Sequence, residues 1–160
     1  MTGFLKRLLP KRDPVNPGDV APVDFAVDLF LFGLHILPCG GGVIPEPRRA
    51  VRTLKRKYGQ EGLVRESKIL LFESPLDSEY PEGTRSVATG IIHHLADKEL
   101  FRDLVETRSQ WLEDPGDLSG RIRTIEALIS GIAFRLKLPC PEGLSPVDVQ
   151  AECDYFGIEV

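Results

Sequence analysis

Between Asp24 and Leu37 the chain is almost continuously apolar (DFAVDLFLFGLHIL). Read with a period of two, Phe25, Val27, Leu29 and Leu31 line one face of a strand, and Ala26, Phe30 and Phe32 line the other. A helix fits almost as well, and the aromatic and β-branched content tips the reading toward a buried strand. Farther on, Ala50, Val51, Leu54 and Tyr58 fall into one narrow stripe at about 100° per residue. Pro47 stands where a helix begins and Gly59 where one ends, so the spacing predicts a helix over 47–58. Lys68 to Glu73 (KILLFE) reads as a strand, and Ser74 to Gly83 as an acidic, turn-rich loop.

The second half is more helical in its spacing. Thr84 to Leu95 fits strand and helix alike. Asp97 can cap a helix running to Trp111 or so, with Leu100, Phe101, Leu104, Val105 and Trp111 facing inward. Pro115, Gly116 and Gly120 break the chain. Beyond them Ile122, Ile125, Leu128, Ile129 and Ile132 have helical spacing, whereas Ile132, Phe134, Leu136 and Leu138 alternate with Ala133, Arg135 and Lys137 as a strand does, so 121–138 stays open. A last helix is predicted over 146–156. Ser145 and Asp148 form a capping-box pattern with Asp in place of Glu, Pro146 takes the first position and Gly157 closes.

Before Asp24 regular structure is interrupted by Pro10, Pro14, Pro17, Gly18 and Pro22, which marks residues 1–23 as a flexible basic and proline-rich arm. The chain thus reads as that arm followed by one globular α+β domain over 24–160, a small mixed sheet packed with helices. Its 160 residues are enough for a core that needs no staples. Cys39, Cys140 and Cys153 are too few and too scattered for a disulfide framework, which suggests reduced thiols in a cytosolic compartment. No apolar run approaches the roughly 18 residues of a spanning helix. Lys6 and Arg7 interrupt the N-terminal apolar cluster, so it lacks the unbroken segment of a signal peptide.

Charge changes the picture more than composition does. The net charge is -4, yet up to Tyr58 ten Lys and Arg stand against five acids, and the rest of the chain carries the excess of carboxylates. A positive front on an acidic body orients a protein toward a polyanion. Arg48, Arg49, Arg52, Lys55 and Arg56 share the face of the 47–58 helix opposite its apolar stripe. Such like charges repel unless an anionic partner or the fold's own acids relieve them. An anionic membrane is one such partner, with Phe4, Leu5, Leu8 and Leu9 presented together on a short turn beside Lys6 and Arg7. Nucleic acid, bound without sequence preference, is another, since no zinc-finger, RNP or helix-turn-helix pattern is present.

Catalytic and metal chemistry find less support. His93 and His94 with Cys140 or Cys153 offer a conceivable thiolate–imidazole pair, but no local signature surrounds any cysteine. His35 and Cys39 at i, i+4 are one half of a zinc site whose other half is missing. The glycine loop at Cys39 to Val43 lacks the spacing of a phosphate cradle, and Ile44, Pro45 and Glu46 separate it from the next helix.

In order, these pieces resemble a rhabdovirus matrix protein: a short basic–apolar start (MTGFLKRLLPKR), a proline-rich arm, FAVDLFLF, a loop, PRRAVRTLKRKYG, KILLF before a P-E-G loop, and a final LSPVDVQAECDYFGIEV ending in an F-G-[LI]-x-V turn. The chain departs from the family in its acidic balance and in lacking a P-P-x-Y or P-[ST]-A-P motif. The resemblance implies a non-enzymatic structural protein of the virion that binds the inner leaflet, associates with itself and condenses the ribonucleoprotein. Carried over by position, Phe4, Leu5, Lys6, Arg7, Leu8 and Leu9 are the membrane arm, and Arg48, Arg49, Arg52, Lys55 and Arg56 the polyanion surface. The expected location is cytoplasmic and peripheral to membrane, or the virion interior, with no cofactor, metal or small-molecule substrate. Two other classes stay open: a cytosolic adaptor or inhibitory module working through the acidic body, and a small hydrolase using Cys140 or Cys153.

Overall fold

The computed structural model describes the backbone of residues 22–73, 83–144 and 149–158. Helix α1 (Pro22–Gly33) leads into a hairpin of β1 (Leu34–Ile36) and β2 (Val43–Pro45), with a short 3-10 turn at Pro38–Gly40 between them. Then follow α2 (Pro47–Phe72), α3 (Thr84–Leu95), α4 (Lys98–Glu113), α5 (Ser119–Leu136) and α6 (Val149–Phe156). The strands are antiparallel, pairing Leu34 with Pro45, His35 with Ile44 and Ile36 with Val43. The fold is α+β but dominated by helix. Among the described residues its sheet is this one antiparallel pair, not the mixed sheet expected. The residues expected to form the membrane arm, Phe4 to Leu9, lie outside the described residues, as does nearly all of the loop that begins at Ser74.

The apolar run after Asp24 is α1, not a strand. Its buried positions are Phe25, Ala26, Asp28, Leu29 and Gly33, the spacing of one helical face. Aromatic and β-branched content favours a strand only where a pleated neighbour receives it. Here α1 packs instead on α2 and α3. Asp28, only 2% exposed, decides the register of that contact: it accepts hydrogen bonds from Tyr58 Oη and from Lys57 Nζ, the latter at 2.7 Å.

KILLFE is likewise helix. Leu63, Ser67, Leu70 and Leu71 are buried together with Gly62 and Glu66, a spacing visible only when the window is widened back to Gly59. Gly59 does end the first helical segment, with φ 71° and ψ 165°, but the chain resumes helix at once instead of leaving it. That backbone region is essentially open to glycine alone. α2 is therefore two rods joined at Gly59.

The remaining ambiguities resolve to helix. Thr84–Leu95 and Ser119–Leu136 are α3 and α5, and Lys137 at φ 57° ends α5 while Leu138 N–H donates to the Ala133 carbonyl at 2.8 Å. Asp97 caps α4 as expected, accepting from Leu100 N–H at 2.8 Å. Gly157, at φ 66°, closes α6, while Ser145, Pro146 and Asp148 lie outside the described residues. The main core joins Phe25 and Leu29 of α1, Leu54, Leu63 and Leu70 of α2, Ile91 and Ile92 of α3, Leu104 of α4, and Ile125, Leu128, Ile129 and Ile132 of α5. Cys153, Phe156 and Ile158 make a smaller second cluster.

Candidate functional site

The first rod of α2 buries Pro47, Ala50, Leu54 and Tyr58. At about 100° per residue this stripe leaves Arg48, Arg52, Lys55 and Arg56 on the far side, within about 100° of arc. All four are exposed. Arg48 Nη2 donates to the Gly157 carbonyl at 2.9 Å, which fixes its guanidinium, and it has no ion-pair partner among the described residues. Arg52, Lys55 and Arg56 have no ion-pair partner among the described residues. Arg49 is placed differently. It lies half-buried at the side of the rod, donating to the Leu31 carbonyl at 3.3 Å, the Leu34 carbonyl at 3.4 Å and Glu46 Oε2 at 3.4 Å. Those bonds serve the last turn of α1 and the root of the hairpin. Lys57 turns inward to Asp28, where burial and that carboxylate push the Tyr58 hydroxyl far above its usual range.

The hairpin stands directly before this cationic rod. Side chains of Leu34, Ile36, Val43 and Pro45 share one face by strand alternation, and His35 and Ile44 share the other. Leu34 and Pro45, at the root, are buried against the body. A Cβ on Gly83 would meet Leu34 and Val43 at 2.9 Å, so the root touches the start of α3. The far end overhangs: Ile36 is 60% exposed and Ile44 45%, and Pro38 to Gly42 are all exposed. Leu37 N–H closes the tip on the Gly42 carbonyl at 2.9 Å. From the sequence alone, Leu34 to Leu37 fall in a buried strand run and Cys39 to Val43 in a glycine loop, with nothing to join them as a hairpin. The signal was the pair LHI and VIP, two apolar triplets flanking a proline–glycine tip, which is how a short hairpin is spelled.

Beside the cationic rod, where Asp154 and Tyr155 line a small recess with Arg48, Arg49 and Arg52, α6 is fastened by polar contacts. His94 Nε2–H donates to the Phe156 carbonyl at 3.0 Å, and His93 Nε2 meets Glu152 Oε1 at 3.3 Å. His93 is 1% exposed and packs so closely on α5 that a Cβ on Gly131 would fall 2.7 Å from its ring. Burial lowers the His94 pKa, partly offset by the Phe156 carbonyl. Burial, with Glu152 and Asp154, raises that of Cys153, away from the thiolate a nucleophile requires. The two adjacent histidines are thus brought to α6 as its anchors, with His93 on a carboxylate and His94 on a backbone carbonyl. Cys140 is exposed beyond the end of α5. His35 and Cys39 are both exposed on the hairpin, and among the described residues no three His, Cys, Asp or Glu gather as metal ligands would.

A recess of about 930 Å³ runs between the far rod of α2 and α4. Val64, Ile69, Phe72, Leu100 and Trp111 give it an apolar floor, and Glu61, Glu73, Asp97 and Glu99 stand among its lining residues. Lys68 and Asp103 pair across it.

No family model, curated protein or solved structure matches the chain. Among the described residues no helix is long and apolar enough to cross a membrane.

Proposed function

We propose that this is a non-enzymatic, matrix-like structural protein that docks peripherally on an anionic membrane through the first rod of α2, and joins that surface to ribonucleoprotein and to further copies of itself. One observation carries the membrane contact: Arg52, Lys55 and Arg56 project from one face with no ion-pair partner among the described residues, in a chain whose net charge is -4. Among the described residues the fold's own acids form no ion pair with these three, although Glu46 and Asp154 line a recess together with Arg48, Arg49 and Arg52. Each such residue adds about 1 kcal/mol at an anionic surface, and salt screens it. Flotation with phosphatidylserine-containing vesicles at low and high salt tests the proposal. Arg52→Glu, Lys55→Glu and Arg56→Glu together are expected to weaken binding by about a hundredfold or more. Wild-type protein that stays at the bottom of the gradient in low salt rules the membrane role out.

The recess between α2 and α4 favours a second reading, an adaptor whose acidic body receives a partner's cations around an apolar strip. On that reading Glu61→Lys with Glu99→Lys abolishes a stoichiometric complex and leaves vesicle flotation unchanged.

A further inference from the structure

We infer that the overhanging β1–β2 hairpin is a membrane-insertion device, seating Ile36, Ile44 and the Pro38–Gly42 tip at the interface of an anionic bilayer. The inference rests on the membrane reading of the cationic rod and goes beyond it by assigning a second, apolar component of the contact.

Three observations lead there. First, the hairpin exposes what a folded surface normally covers. Ile36 belongs to the same row as the buried Leu34, yet it lies past the edge of the body at 60% exposure. Ile44, on the opposite face, is 45% exposed, so neither side of the projection is shielded. Second, the tip carries no charge: from Leu34 to Pro45 there is no Lys, Arg, Asp or Glu, and His35 is its one titratable side chain besides the Cys39 thiol. An uncharged, two-sided apolar projection loses little by entering the headgroup boundary and gains what its isoleucines lose in water. Third, charge stands beside it. Ile44 and Arg48 are four positions apart, at most about 14 Å of chain, and the one acid between them, Glu46, is paired with Arg49. Arg49 fastens the root of the hairpin to the same rod through the Leu34 carbonyl. An apolar projection flanked by unpaired cations complements an anionic bilayer, where the charges find phosphates and the side chains find acyl carbon. A polynucleotide would satisfy the cations and leave the isoleucines in water.

The loop geometry suits this use. Cys39, Gly40 and Gly42 all take positive φ, at 60°, 73° and 91°, so the tip turns tightly and presents little polar side-chain bulk. Cys39 is exposed and supplies a reporter at the point expected to go deepest.

The full chain carrying Cys140→Ser is labelled at Cys39 with an environment-sensitive fluorophore and mixed with phosphatidylserine/phosphatidylcholine vesicles. The expected result is a blue-shifted emission quenched by brominated acyl chains, absent with phosphatidylcholine alone. Ile36→Ser with Ile44→Ser abolishes the quenching and binds about tenfold more weakly, while the salt dependence set by the cations persists. Full-strength vesicle binding with an unshifted, unquenched label overturns the inference and leaves the membrane reading intact. A shift produced equally by an RNA homopolymer overturns it in favour of nucleic acid. Failure of the wild-type chain to bind anionic vesicles at low salt removes both.

Discussion

Arg108 and Glu126 are the most buried ion pair among the described residues for which both partners are charged side chains inside the core, joined at 2.9 Å, with Arg108 Nη2 also on the Gly143 carbonyl at 3.2 Å. A buried charge whose partner is removed remains desolvated and unanswered. Glu126→Leu should therefore cost about 3 kcal/mol in urea unfolding, and adding Arg108→Met should restore much of it. If the double variant is as unstable as the single one, packing and not charge is what the site contributes. His94 gives a second test at this scale. Its pKa is held below the ordinary 6.5 in the fold, so the unfolded chain binds more protons as the pH falls through that value. Stability is thus complete above about 6.5 and declines below it. Glu66, raised by burial, works in the opposite sense above its ordinary 4.5. The melting temperature of His94→Gln is accordingly expected to fall less than that of the wild type between pH 7 and pH 5.5. Parallel curves for the two proteins would show that His94 is not the group that titrates.

At the scale of elements, the break at Gly59 separates two tasks that one continuous helix would confuse. The first rod displays cations, and the second lines the recess against α4. Gly59→Ala keeps helix propensity but forces a side chain into a positive-φ conformation, and nothing lies within 4 Å of the new Cβ. The expected loss is about 1–3 kcal/mol of conformational strain without a steric clash, read as a lower urea midpoint at unchanged slope. A neutral or stabilising effect would mean that the two rods straighten freely. The same element explains what the sequence disclosed. Pro47, Gly59, the Asp97 cap and Gly157 act locally, within a turn of themselves, and each boundary they mark is present. Strand and helix within apolar runs depend on what packs against them. In DFAVDLFLFG helix and strand fit almost equally well, and what separates them is Asp28 on Tyr58 and Lys57, about thirty residues away in the chain. The cationic face was legible for Arg48, Arg52, Lys55 and Arg56 because helix geometry alone assigns it. Arg49 was not, since its acceptors are carbonyls of α1 and β1. The hairpin's exposure was not legible either, because alternation gives two faces and says nothing about where the body stops.

For the whole molecule, the governing fact is that opposite charges are segregated along the chain instead of mixed. Vesicle association should be fast and steeply salt-dependent, falling as the screening length shortens from about 30 Å at 0.01 M to about 8 Å at 0.15 M. Binding unchanged over that range would point to the apolar contact alone. The unpaired face of α2 has a further consequence in the absence of any ligand. Arg48 and Arg52, and Arg52 and Arg56, stand four apart on one helix, a spacing at which like charges each cost a few tenths of a kcal/mol. Added electrolyte quiets this internal repulsion just as it dulls the pull of an external surface. Amide exchange over 47–58 should therefore slow in the same salt that releases the protein from its vesicle, so that the segment is most rigid when it has least to hold.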